Sequence, residues 1–451
     1  MQKILNLLKK IIPKKLYKKL QPIYHYLLAK LSALIYFYPS NKMIVVGVTG
    51  TTGKSSTCYF IAQILESAGF KVGMSTTTLF KIDKTEWLNN KKMTMPGRFF
   101  LQRLLRQMLK NKCEVVIIET TSEGIKQFRH LGISYDILVF TNLYPEHIES
   151  HGSFEKYRYT KGCLFNYLSS CKKKKLSKLF HEEIKKREIE KLEALKKTII
   201  VNLDDKYAEY FLNFWAEKKI TYSINNKNAD IKLDDLNLKI NLLGEYNKYN
   251  ILPGIAIARI LNISENKIKF AIENLKPLPG RLEFIENNLN IKILIDYAFE
   301  PKAIEKLYEV IKYMEHNRII HILGSCGGGR DKSRRPILGR LAAENADIVI
   351  ITNEDPYDEN PQEIIDQVAN GVEEIFNKKI TDYGLLITDY LHKILNRREA
   401  IKKALQIAET GDLILITGKG AEQKMCLAKG KLIDWDDREV VREELKNIVF
   451  A

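Results

Sequence analysis

A glycine-rich loop near the start of the chain has the residue types that bind nucleotide phosphates. The apolar run Lys42–Val48 is followed by the loop GVTGTTGKS and then by a helical pattern over Ser55–Ala68. Glycines let backbone N–H groups approach phosphate oxygens, and a helix N-terminus adds a favourable dipole. In such a loop Lys54 reaches the β- and γ-phosphates and Ser55 ligates Mg²⁺. The pattern predicts an ATP site formed by Gly50, Thr51, Thr52, Gly53, Lys54, Ser55 and Ser56.

The spacing of the glycines departs from the strict Walker pattern, because Val48 stands where the first glycine is expected. The chain has GxxGxxGKS instead, through Gly47, Gly50 and Gly53. Strand, loop, Lys–Ser pair and helix nevertheless occur in the right order, which favours a nucleotide site over a glycine-rich turn without function. A phosphate loop alone does not identify the reaction.

Strands alternate with helices along the rest of the chain, which indicates a parallel sheet covered by helices. A helix is predicted over Phe154–Leu168, and another over Glu265–Leu275 before the Pro/Gly break PLPGR at 277–281. The Lys/Glu-rich stretch 172–197 is typical of a solvated helical face. Strands are predicted at Val115–Glu119, Ile137–Asn142, Ile291–Asp296, Ile319–Leu323, Ile348–Thr352 and Leu413–Thr417.

The predicted fold class is therefore α/β, with two domains behind a short leader. Residues 43–277 are expected to form a central ATPase domain with a parallel sheet and the P-loop. Residues 278–451 are expected to form a C-terminal, Rossmann-like α/β domain. Residues 1–42 form a short, basic, helical leader.

The basic charge of the chain is concentrated in this leader. The formal net charge is +17, and residues 1–40 carry eight Lys and no acidic residue. The remainder has no dense Arg patch interleaved with aromatic residues, so a nucleic-acid partner is not predicted. Six Cys occur without metal-site spacing, which is typical of reduced thiols in a cytoplasm and excludes a disulfide scaffold.

Two interpretations of the leader remain open. The run Ile23–Tyr38 is too short and too charged, with Lys30 inside it, for a membrane-spanning helix. No small-residue cleavage site follows, so a signal peptide is poorly supported. A basic, aromatic-rich amphipathic segment can lie on an anionic membrane surface. Alternatively, residues 1–40 form helices that pack on the next domain.

Many separate motifs, in order, give the chain a resemblance to the Mur ligases. Within this family, the motifs resemble most those of the branch that adds the third residue of the peptidoglycan stem. The motifs span residues 43–451, and the resemblance implies an ATP-dependent ligase. Such an enzyme phosphorylates a carboxylate with ATP, and an amine then attacks the acyl phosphate. This reaction depends on cations that stabilise charge and on positioning of the substrates, and it does not need a nucleophile from the protein. The motifs are GVTGTTGKSS, IIETTSEG, TNLYPEHIESHG, GEYNKYN, PGRLEF, LIDYAFEPKAIE, GSCGGGRDKSRRP, NRREAI, LITGKGAEQ and DDREVVRE.

The resemblance also implies catalytic and metal-binding residues. Glu119 at a strand end and His147 match Mg²⁺ ligands that act with Ser55, and Lys161 matches a lysine that is carbamylated to hold a second Mg²⁺. Without the family, Lys161 would be interpreted as a surface charge and His147 as an ordinary loop histidine. His151 is expected to be structural. The implied catalytic residues are Lys54, Glu119, His147 and Lys161, and the implied further ATP-site residues are Asn247, Arg281 and Asp296.

Substrate residues follow from the same alignment of motifs. The acceptor carboxylate and muramyl peptide are expected to contact Thr94, Ser122, Gln127 and Arg129. The incoming amino acid is expected to contact Arg335, Glu354, Asp355, Pro356, Tyr357, Gly418 and Glu422. Tyr357 replaces the arginine of the family's diaminopimelate signature and cannot pair with the far carboxylate, so lysine or another amine stays open as the substrate.

A departure from the family is also expected before the P-loop, where the leader is predicted to stand in place of the UDP-binding domain. The expected partners are small molecules, namely ATP, an amino acid and a muramyl-peptide precursor. The protein is expected to be a cytoplasmic monomer, placed at the inner membrane face if residues 1–40 bind lipid. Two alternatives are a folylpolyglutamate-synthetase-like ligase and a membrane-associated P-loop ATPase that works as a conformational switch.

Overall fold

A computed structural model describes residues 14–145, 148–174, 195–233, 240–379 and 387–449. The chain divides into two compact units, residues 1–276 and residues 277–451. Each is an α/β unit with a largely parallel sheet, so the predicted fold class is confirmed. No helix in the described ranges is both long and apolar enough to cross a membrane.

The first unit alternates strands and helices along most of its length. Its helices are α1 (Lys14–Ile35), α2 (Lys54–Ser67), α3 (Arg98–Lys110), α4 (Ser122–Lys126), α5 (Ile148–His151), α6 (Phe154–Leu168), α7 (Ala208–Leu212), α8 (Tyr246–Ile260) and α9 (Glu265–Glu273). Its strands are β1 (Ile44–Thr49), β2 (Val72–Ser75), β3 (Leu79–Ile82), β4 (Thr85–Leu88), β5 (Val115–Glu119), β6 (Ile137–Phe140), β7 (Thr198–Asn202), β8 (Lys218–Ser223) and β9 (Ile231–Lys232).

The described strands of this unit form one sheet in the order β4-β3-β2-β5-β1-β6-β7-β8-β9. All neighbours pair in parallel except β2–β3 and β3–β4. Strand β1 is buried along its whole length and pairs with β5 on one side and β6 on the other. The carboxyl ends of these three central strands therefore meet at one edge of the sheet, which is where ligands bind in open parallel sheets.

Helices cover the sheet through apolar faces that are visible in the sequence. Helix α3 buries Leu101, Leu104, Leu105 and Met108, which recur at the spacing of one helix face. Helix α2 packs closely on α8, where an added Cβ at Gly254 would lie 2.6 Å from the Ile64 side chain. Some predicted boundaries differ slightly, because β6 ends at Phe140 and α9 at Glu273. Most of the Lys/Glu-rich stretch falls outside the described residues.

The second unit repeats the α/β plan on a smaller sheet. Its helices are α10 (Pro301–Ile311), α11 (Arg334–Asn345), α12 (Pro361–Lys379), α13 (Ile387–Tyr390), α14 (Arg397–Ile407) and α15 (Asp437–Val449). Its strands are β10 (Glu283–Phe284), β11 (Lys292–Asp296), β12 (Ile319–Leu323), β13 (Ile348–Thr352), β14 (Leu391–Ile394), β15 (Leu413–Thr417), β16 (Lys424–Cys426) and β17 (Leu432–Asp434). The described strands have the order β10-β11-β15-β12-β13-β14, with β10 antiparallel to its neighbour β11, and β16–β17 form a hairpin.

Candidate functional site

The loop between β1 and α2 has a backbone path that requires two of its glycines. An added Cβ at Gly50 would lie 1.9 Å from Thr141 Oγ1, so the loop passes too close to the next strand end for a side chain. Gly53 has φ of 77°, a conformation that favours glycine, and its Cβ would lie 2.4 Å from Asn250 Oδ1. The sequence predicts that these glycines lie in a phosphate-binding loop. The structure shows that a side chain at either position would clash with a neighbouring residue.

The same loop is fastened to the segment after β6. The backbone N–H of Thr51 donates to Asn142 O at 2.9 Å, and that of Thr52 donates to Asn142 Oδ1 at 2.9 Å. Thr141 Oγ1 donates to Thr52 O at 2.7 Å. Because these two amides already have acceptors, an anion would bind other donors of this region, which include the N–H groups of Lys54, Ser55 and Ser56 in the first turn of α2.

Glu119 is the buried carboxylate beside this loop, with 2% of its surface exposed. Its Oε2 accepts hydrogen bonds from Ser55 Oγ at 2.7 Å and from the Thr77 N–H at 2.8 Å. Its Oε1 accepts from Thr77 Oγ1 at 3.0 Å. The sequence did not indicate Thr77, although it is the second residue after β2, a neighbour of β5 in the sheet.

The Ser55–Glu119 pair fits a magnesium ion by its chemistry. In the part of the chain that the structure describes, no group of three or more His, Cys, Asp or Glu side chains could hold a metal by itself. Mg²⁺ is usually held by one or two protein oxygens together with substrate phosphates and waters. A hydroxyl and a carboxylate 2.7 Å apart beside a phosphate loop are such a donor set.

Two lysines direct their ammonium groups to the loop. Lys161, on α6, is 1% exposed, and its Nζ donates to Gly50 O at 2.7 Å and lies 4.7 Å from the centre of the Tyr157 ring. Lys54 Nζ donates to Thr51 O at 2.6 Å. The Tyr157 hydroxyl lies 3.2 Å from Thr51 Oγ1. Burial of Lys161 is unexpected for a helical lysine and is the feature that separates it from a surface charge.

The predicted metal ligand His147 lies outside the described residues. The nearby His151, which is expected from the sequence to be structural, is buried, with its Nε2 3.1 Å from Ser122 Oγ. Burial, followed by the Lys126 charge, lowers the pKa of His151. Its neutral ring therefore fixes the hydroxyl of Ser122, one of the predicted acceptor contacts.

The other predicted acceptor residues lie on two segments that meet beside Glu119. Thr94 Oγ1 lies 2.7 Å from Thr77 Oγ1, which links it to the carboxylate. Arg129 donates from Nη2 to Gln127 Oε1 at 2.6 Å and from Nη1 to Met95 O. The structure thus joins the 93–96 segment to the turn after α4.

Asn247, predicted on the adenine side, lies on α8. It donates from Nδ2 to Leu243 O at 2.7 Å and accepts at Oδ1 from Asn250 Nδ2 at 3.2 Å. Asn250 Oδ1 accepts from Thr57 Oγ1 at 3.3 Å, so the two asparagines connect α8 to the phosphate-loop helix. Asn250 was not singled out from the sequence, although it is the last residue of the motif that contains Asn247.

In the second unit, Arg281 and Asp296 are held by local contacts. The Arg281 guanidinium lies 4.5 Å from the centre of the Tyr297 ring. Asp296 accepts from the Leu282 N–H at 2.8 Å and from the Ala298 N–H at 2.7 Å. Burial raises the pKa of Asp296, and the Arg281 charge opposes this change. These bonds show Asp296 shaping the turn that presents Arg281.

The predicted amino-acid residues surround a buried lysine. Lys419 Nζ lies 3.1 Å from Asp355 Oδ1 and 2.7 Å from Glu422 Oε2, and it donates to Lys424 O at 2.8 Å. Glu422 Oε1 also accepts from the Tyr297 hydroxyl at 3.1 Å. Sequence reasoning missed Lys419, although it stands inside the GKGAE motif from which two neighbours were chosen.

Arg335 is fully buried, and its guanidinium is engaged by the protein. It donates to Cys326 O at 3.1 Å and Gln367 Oε1 at 2.7 Å, and it pairs with Glu359 Oε2 at 3.0 Å. Tyr357 has φ of 52°, and its N–H donates to Cys426 O at 3.2 Å. Pro356 accepts at its carbonyl from the Glu359 N–H at 3.1 Å, which makes a tight turn between Asp355 and Glu359.

Buried polar atoms without partners mark the carboxyl ends of β12 and β13. These atoms are Thr352 Oγ1, Ser325 Oγ and Glu354 Oε2. The other oxygen of Glu354 accepts from Cys326 Sγ at 2.8 Å, and an added Cβ at Gly418 would lie 2.7 Å from Oε2. Buried polar groups normally have partners, so this cluster is typical of a place where a ligand completes the hydrogen bonding. An open groove of about 1130 Å³ between α14 and α15 contains none of these residues.

Comparison with known proteins gives the family of this chain. The Mur ligase middle domain matches residues 48–258, and the Mur ligase glutamate ligase domain matches residues 280–420. A UDP-N-acetylmuramoyl-L-alanyl-D-glutamate–2,6-diaminopimelate ligase of Clostridium acetobutylicum is 32% identical over 445 residues, covering 93% of this chain and 82% of that protein. A UDP-N-acetylmuramyl-tripeptide synthetase of Borreliella burgdorferi is 32% identical over 429 residues, covering 93% and 80%.

A solved structure agrees with these relatives. The structure of a UDP-N-acetylmuramoyl-L-alanyl-D-glutamate–2,6-diaminopimelate ligase is 25% identical, with a TM-score of 0.56, covering 90% of this chain and 79% of that one. The resemblance drawn from the motifs is confirmed. The chain belongs to the Mur ligase family, whose members are ATP-dependent ligases that form amide bonds.

Proposed function

We propose that this protein activates a muramyl-peptide carboxylate with ATP and joins it to an amino acid during synthesis of a peptidoglycan precursor. The observation that carries the proposal is the convergence of Lys54, Lys161 and the Ser55–Glu119 pair on one phosphate loop. An acyl phosphate forms when the carboxylate oxygen takes the γ-phosphoryl group. The amine then displaces phosphate, and an amide remains.

The first unit supplies positive charge and fixed donors for the phosphoryl transfer. Lys54 and the N–H groups of the first turn of α2 bind the phosphates and stabilise charge that develops on them. Ser55 and Glu119 would hold a Mg²⁺ ion, which neutralises phosphate charge. Thr77 orients the carboxylate by donating to both of its oxygens.

Lys161 is proposed to carry a carbamate that helps to hold a second Mg²⁺. The ammonium group first loses one proton, and the free amine then adds to the carbon of CO₂ and releases a second proton. The two steps together turn a cation into an anion. Its position supports the idea, because the buried Nζ already lies 2.7 Å from a loop carbonyl. With ¹³C-labelled bicarbonate, the wild-type protein should show a carbamate carbon resonance that Lys161→Arg lacks. The same resonance in the variant would assign the carbamate to another lysine.

The second unit is proposed to bind the incoming amino acid. The unpartnered Glu354 Oε2 can accept a hydrogen bond from a substrate ammonium group. Lys419 holds Asp355 and Glu422 in place, and Arg335 supports the pocket through the Cys326 carbonyl. Tyr357 cannot form the bidentate pair that a guanidinium would make with a distal carboxylate, so lysine and other amines compete with diaminopimelate as the substrate.

The protein is proposed to act in the cytoplasm as a monomer, with α1 in contact with the membrane surface. Five side chains of α1 spaced as one helix face are 44–59% exposed: Leu20, Ile23, Leu27, Leu31 and Leu34. The opposite face is covered, since Ala29 and Ala33 are buried. An apolar stripe on a lysine-rich segment without acidic residues complements an anionic lipid surface.

Phosphate release by the purified full chain tests the reaction. The panel contains diaminopimelate, lysine, ornithine and glutamate with muramyl-dipeptide acceptors, and a folate with glutamate as the folylpolyglutamate alternative. Release that needs both the acceptor and one amino acid supports the ligase. Release at full rate without an amino acid would favour a P-loop switch, and release with folate would favour the other ligase.

Flotation with phosphatidylglycerol vesicles tests the membrane contact. The variant Leu27→Glu/Leu31→Glu should lower the bound fraction about tenfold, because it places charge on the apolar stripe. Phe270→Glu is the matched control, since Phe270 is a 63% exposed apolar residue on α9. Equal binding by all three proteins would show that α1 does not contact lipid.

A further inference from the structure

Two arginines of the first unit lie side by side on Gln127. Arg98, the first residue of α3, donates from Nη2 to Gln127 O, and Arg129 donates from Nη2 to Gln127 Oε1 at 2.6 Å. Arg129 also donates to Met95 O. We call these two guanidinium groups, with His25 of α1, the arginine cluster. The proposed reaction assigns no role to Arg98 or His25.

Within the described part of the chain, the guanidinium groups of the arginine cluster are not neutralised by a direct ion pair. Among the residues that the structure describes, neither Arg98 nor Arg129 forms an ion pair, and both Nε atoms are buried without an acceptor. The nearby Glu123 is exposed and accepts from Gln127 Nε2 at 2.7 Å. Two adjacent, partly buried cations repel each other and lose hydration, so the protein keeps them at a cost that an anion would offset.

Electrostatics and the position of α1 agree with this description. Burial, and then the Arg129 charge, lowers the pKa of Arg98 to about 10. Burial, and then the Arg98 and Arg129 charges, lowers the pKa of His25 to about 4. His25 Nδ1 is buried without a partner, and the adjacent Tyr26 ring meets the Phe128 ring edge-on at 6.0 Å. Helix α1 therefore lies against the cluster and brings a neutral imidazole rather than an anion.

The arginine cluster is connected to the phosphate loop by one short segment. Arg98 and the Met95 carbonyl that Arg129 contacts belong to this segment, and so does Thr94. Thr94 Oγ1 reaches Thr77 Oγ1 at 2.7 Å, and Thr77 binds Glu119. An acceptor whose reacting carboxylate lies beside Glu119 can therefore extend along residues 94–98 to the two guanidinium groups.

We propose that the arginine cluster binds a phosphate or diphosphate group of the acceptor substrate, at the end of the acceptor that does not react. A group with two negative charges would neutralise both guanidinium groups, whereas a single carboxylate would neutralise one. The inference rests on the proposed ligase reaction for its place in catalysis. Binding of the anion itself can be measured without turnover. The diphosphate is either nucleotide-linked or lipid-linked, and both present the same chemistry to the protein.

The binding test uses the full chain with the nucleotide site saturated by Mg²⁺ and a non-hydrolysable ATP analogue. Inorganic pyrophosphate is titrated calorimetrically into the wild type, Arg98→Gln, Arg129→Gln and Arg103→Gln. Arg103 is the matched control, because it is an exposed arginine on the same helix α3. The first two variants should weaken binding at least tenfold, and the control less than twofold. Equal affinity of Arg98→Gln and Arg103→Gln would overturn the proposal.

Kinetics with three acceptors then identifies the source of the phosphate. They are a UDP-linked muramyl dipeptide, a polyprenyl-diphosphate-linked one in micelles, and a phosphate-free one. Arg98→Gln should raise KM at least tenfold for whichever diphosphate acceptor is used and leave KM for the phosphate-free acceptor unchanged. A rise for all three acceptors would show a general loss of the site and contradict the proposal. If no acceptor supports turnover, the ligase reaction fails while the pyrophosphate titration still decides the cluster.

Discussion

The two units share the α/β plan but place different charged groups at the carboxyl ends of their strands. In the first unit, Lys54 and Lys161 direct ammonium groups to the phosphate loop beside the carboxylate of Glu119. In the second unit, Asp355 and Glu422 pair with the buried Lys419, and an added Cβ at Gly418 would lie 2.7 Å from Glu354 Oε2. In open parallel sheets, ligands of many kinds bind at this edge. The side chains at the edge determine whether it binds a polyphosphate or an amine.

The units also differ in how their buried carboxylates are satisfied. Both oxygens of Glu119 accept hydrogen bonds from the protein. In the second unit, Glu354 Oε2 has no partner, and Ser325 Oγ and Thr352 Oγ1 are buried in the same state. The Glu119 carboxylate is thus held by the protein before substrate arrives, whereas Glu354 keeps an oxygen whose bonding a ligand would complete. Buried hydroxyls without partners occur in both units, since Thr49 Oγ1 and Ser75 Oγ in the first unit are in the same state.

The largest expected effect tests whether Lys419 holds the carboxylates of the second unit together. Lys419→Met should lower the free energy of unfolding by about 3–5 kcal/mol, because it leaves Asp355 and Glu422 without their buried cation. Urea denaturation measures the change. Lys424→Met is the control, since its partner Asp434 is 92% exposed and should matter little. Equal losses of unfolding free energy in the two variants would show that the buried Lys419 stabilises the protein no more than an exposed lysine does.

The next effect tests the cationic character of the first unit. Lys54→Ala should lower kcat about 10²–10³-fold, since it removes a fixed charge from the phosphoryl group in transfer. Steady-state phosphate release measures this, with circular dichroism to establish folding. Lys110→Ala, at an exposed position on α3, should keep the wild-type rate. A kcat of Lys54→Ala within twofold of the wild-type value would show that this charge is not needed, and would contradict the cationic character assigned to the first unit.

A pH titration compares one buried histidine in each unit. Burial lowers the pKa of His130 in the first unit to about 4, and burial, then the Arg397 charge, lowers that of His321 in the second to about 3. Both values lie below the unfolded value of about 6.5, so the unfolded state binds the proton first as pH falls. Stability from each neutral ring is complete above pH 6.5 and is lost below it, by about 2 kcal/mol at pH 5.

Urea denaturation at pH 7 and pH 5 measures this loss. The free energy of unfolding should differ between pH 7 and pH 5, and His130→Gln and His321→Gln should each reduce that difference by about the contribution of one histidine. A difference that both variants leave unchanged would show that other groups control the acid response. Because His321 bonds both the Tyr308 hydroxyl and Thr417 Oγ1, its variant also costs stability at pH 7.

The smallest effect tests the unpartnered carboxylate oxygen. Glu354→Gln should raise KM for the amino acid about tenfold with little change in KM for ATP, because a neutral amide binds an ammonium group less well. Substrate-dependence curves measure both constants. Glu344→Gln, at an exposed position on α11, is the control. An equal rise in both constants would point to a general disturbance of the protein instead.

The sequence predicted the parts of the protein that depend on local patterns. The phosphate loop and the buried strands are local, because glycine positions, apolar runs and helix starts reflect backbone geometry within a few residues. Strands at Val115–Glu119, Ile319–Leu323, Ile348–Thr352 and Leu413–Thr417 occur where they were predicted. The roles of individual site residues stay predictions, and His147 lies outside the described residues.

The sequence did not predict the residues whose contacts are made with partners far away in the chain. Thr77, Asn142 and Asn250 hold the loop or its carboxylate, yet each is an ordinary polar residue in its own segment. Lys419 has the charge of a surface lysine, and only its burial beside two carboxylates distinguishes it. Arg98 is likewise unremarkable until Arg129, 31 positions later, lies beside it on Gln127.

The amino-acid sequence by itself determined the α/β class, the phosphate loop and the family, because these follow from residue order and spacing along the chain. The tertiary structure alone decided which charges are paired, which are buried and which polar atoms lack a partner. The physical reason is that burial and electrostatic energy depend on neighbours in space. Ser55 and Glu119 are 64 positions apart, and Lys161 and Gly50 are 111 apart.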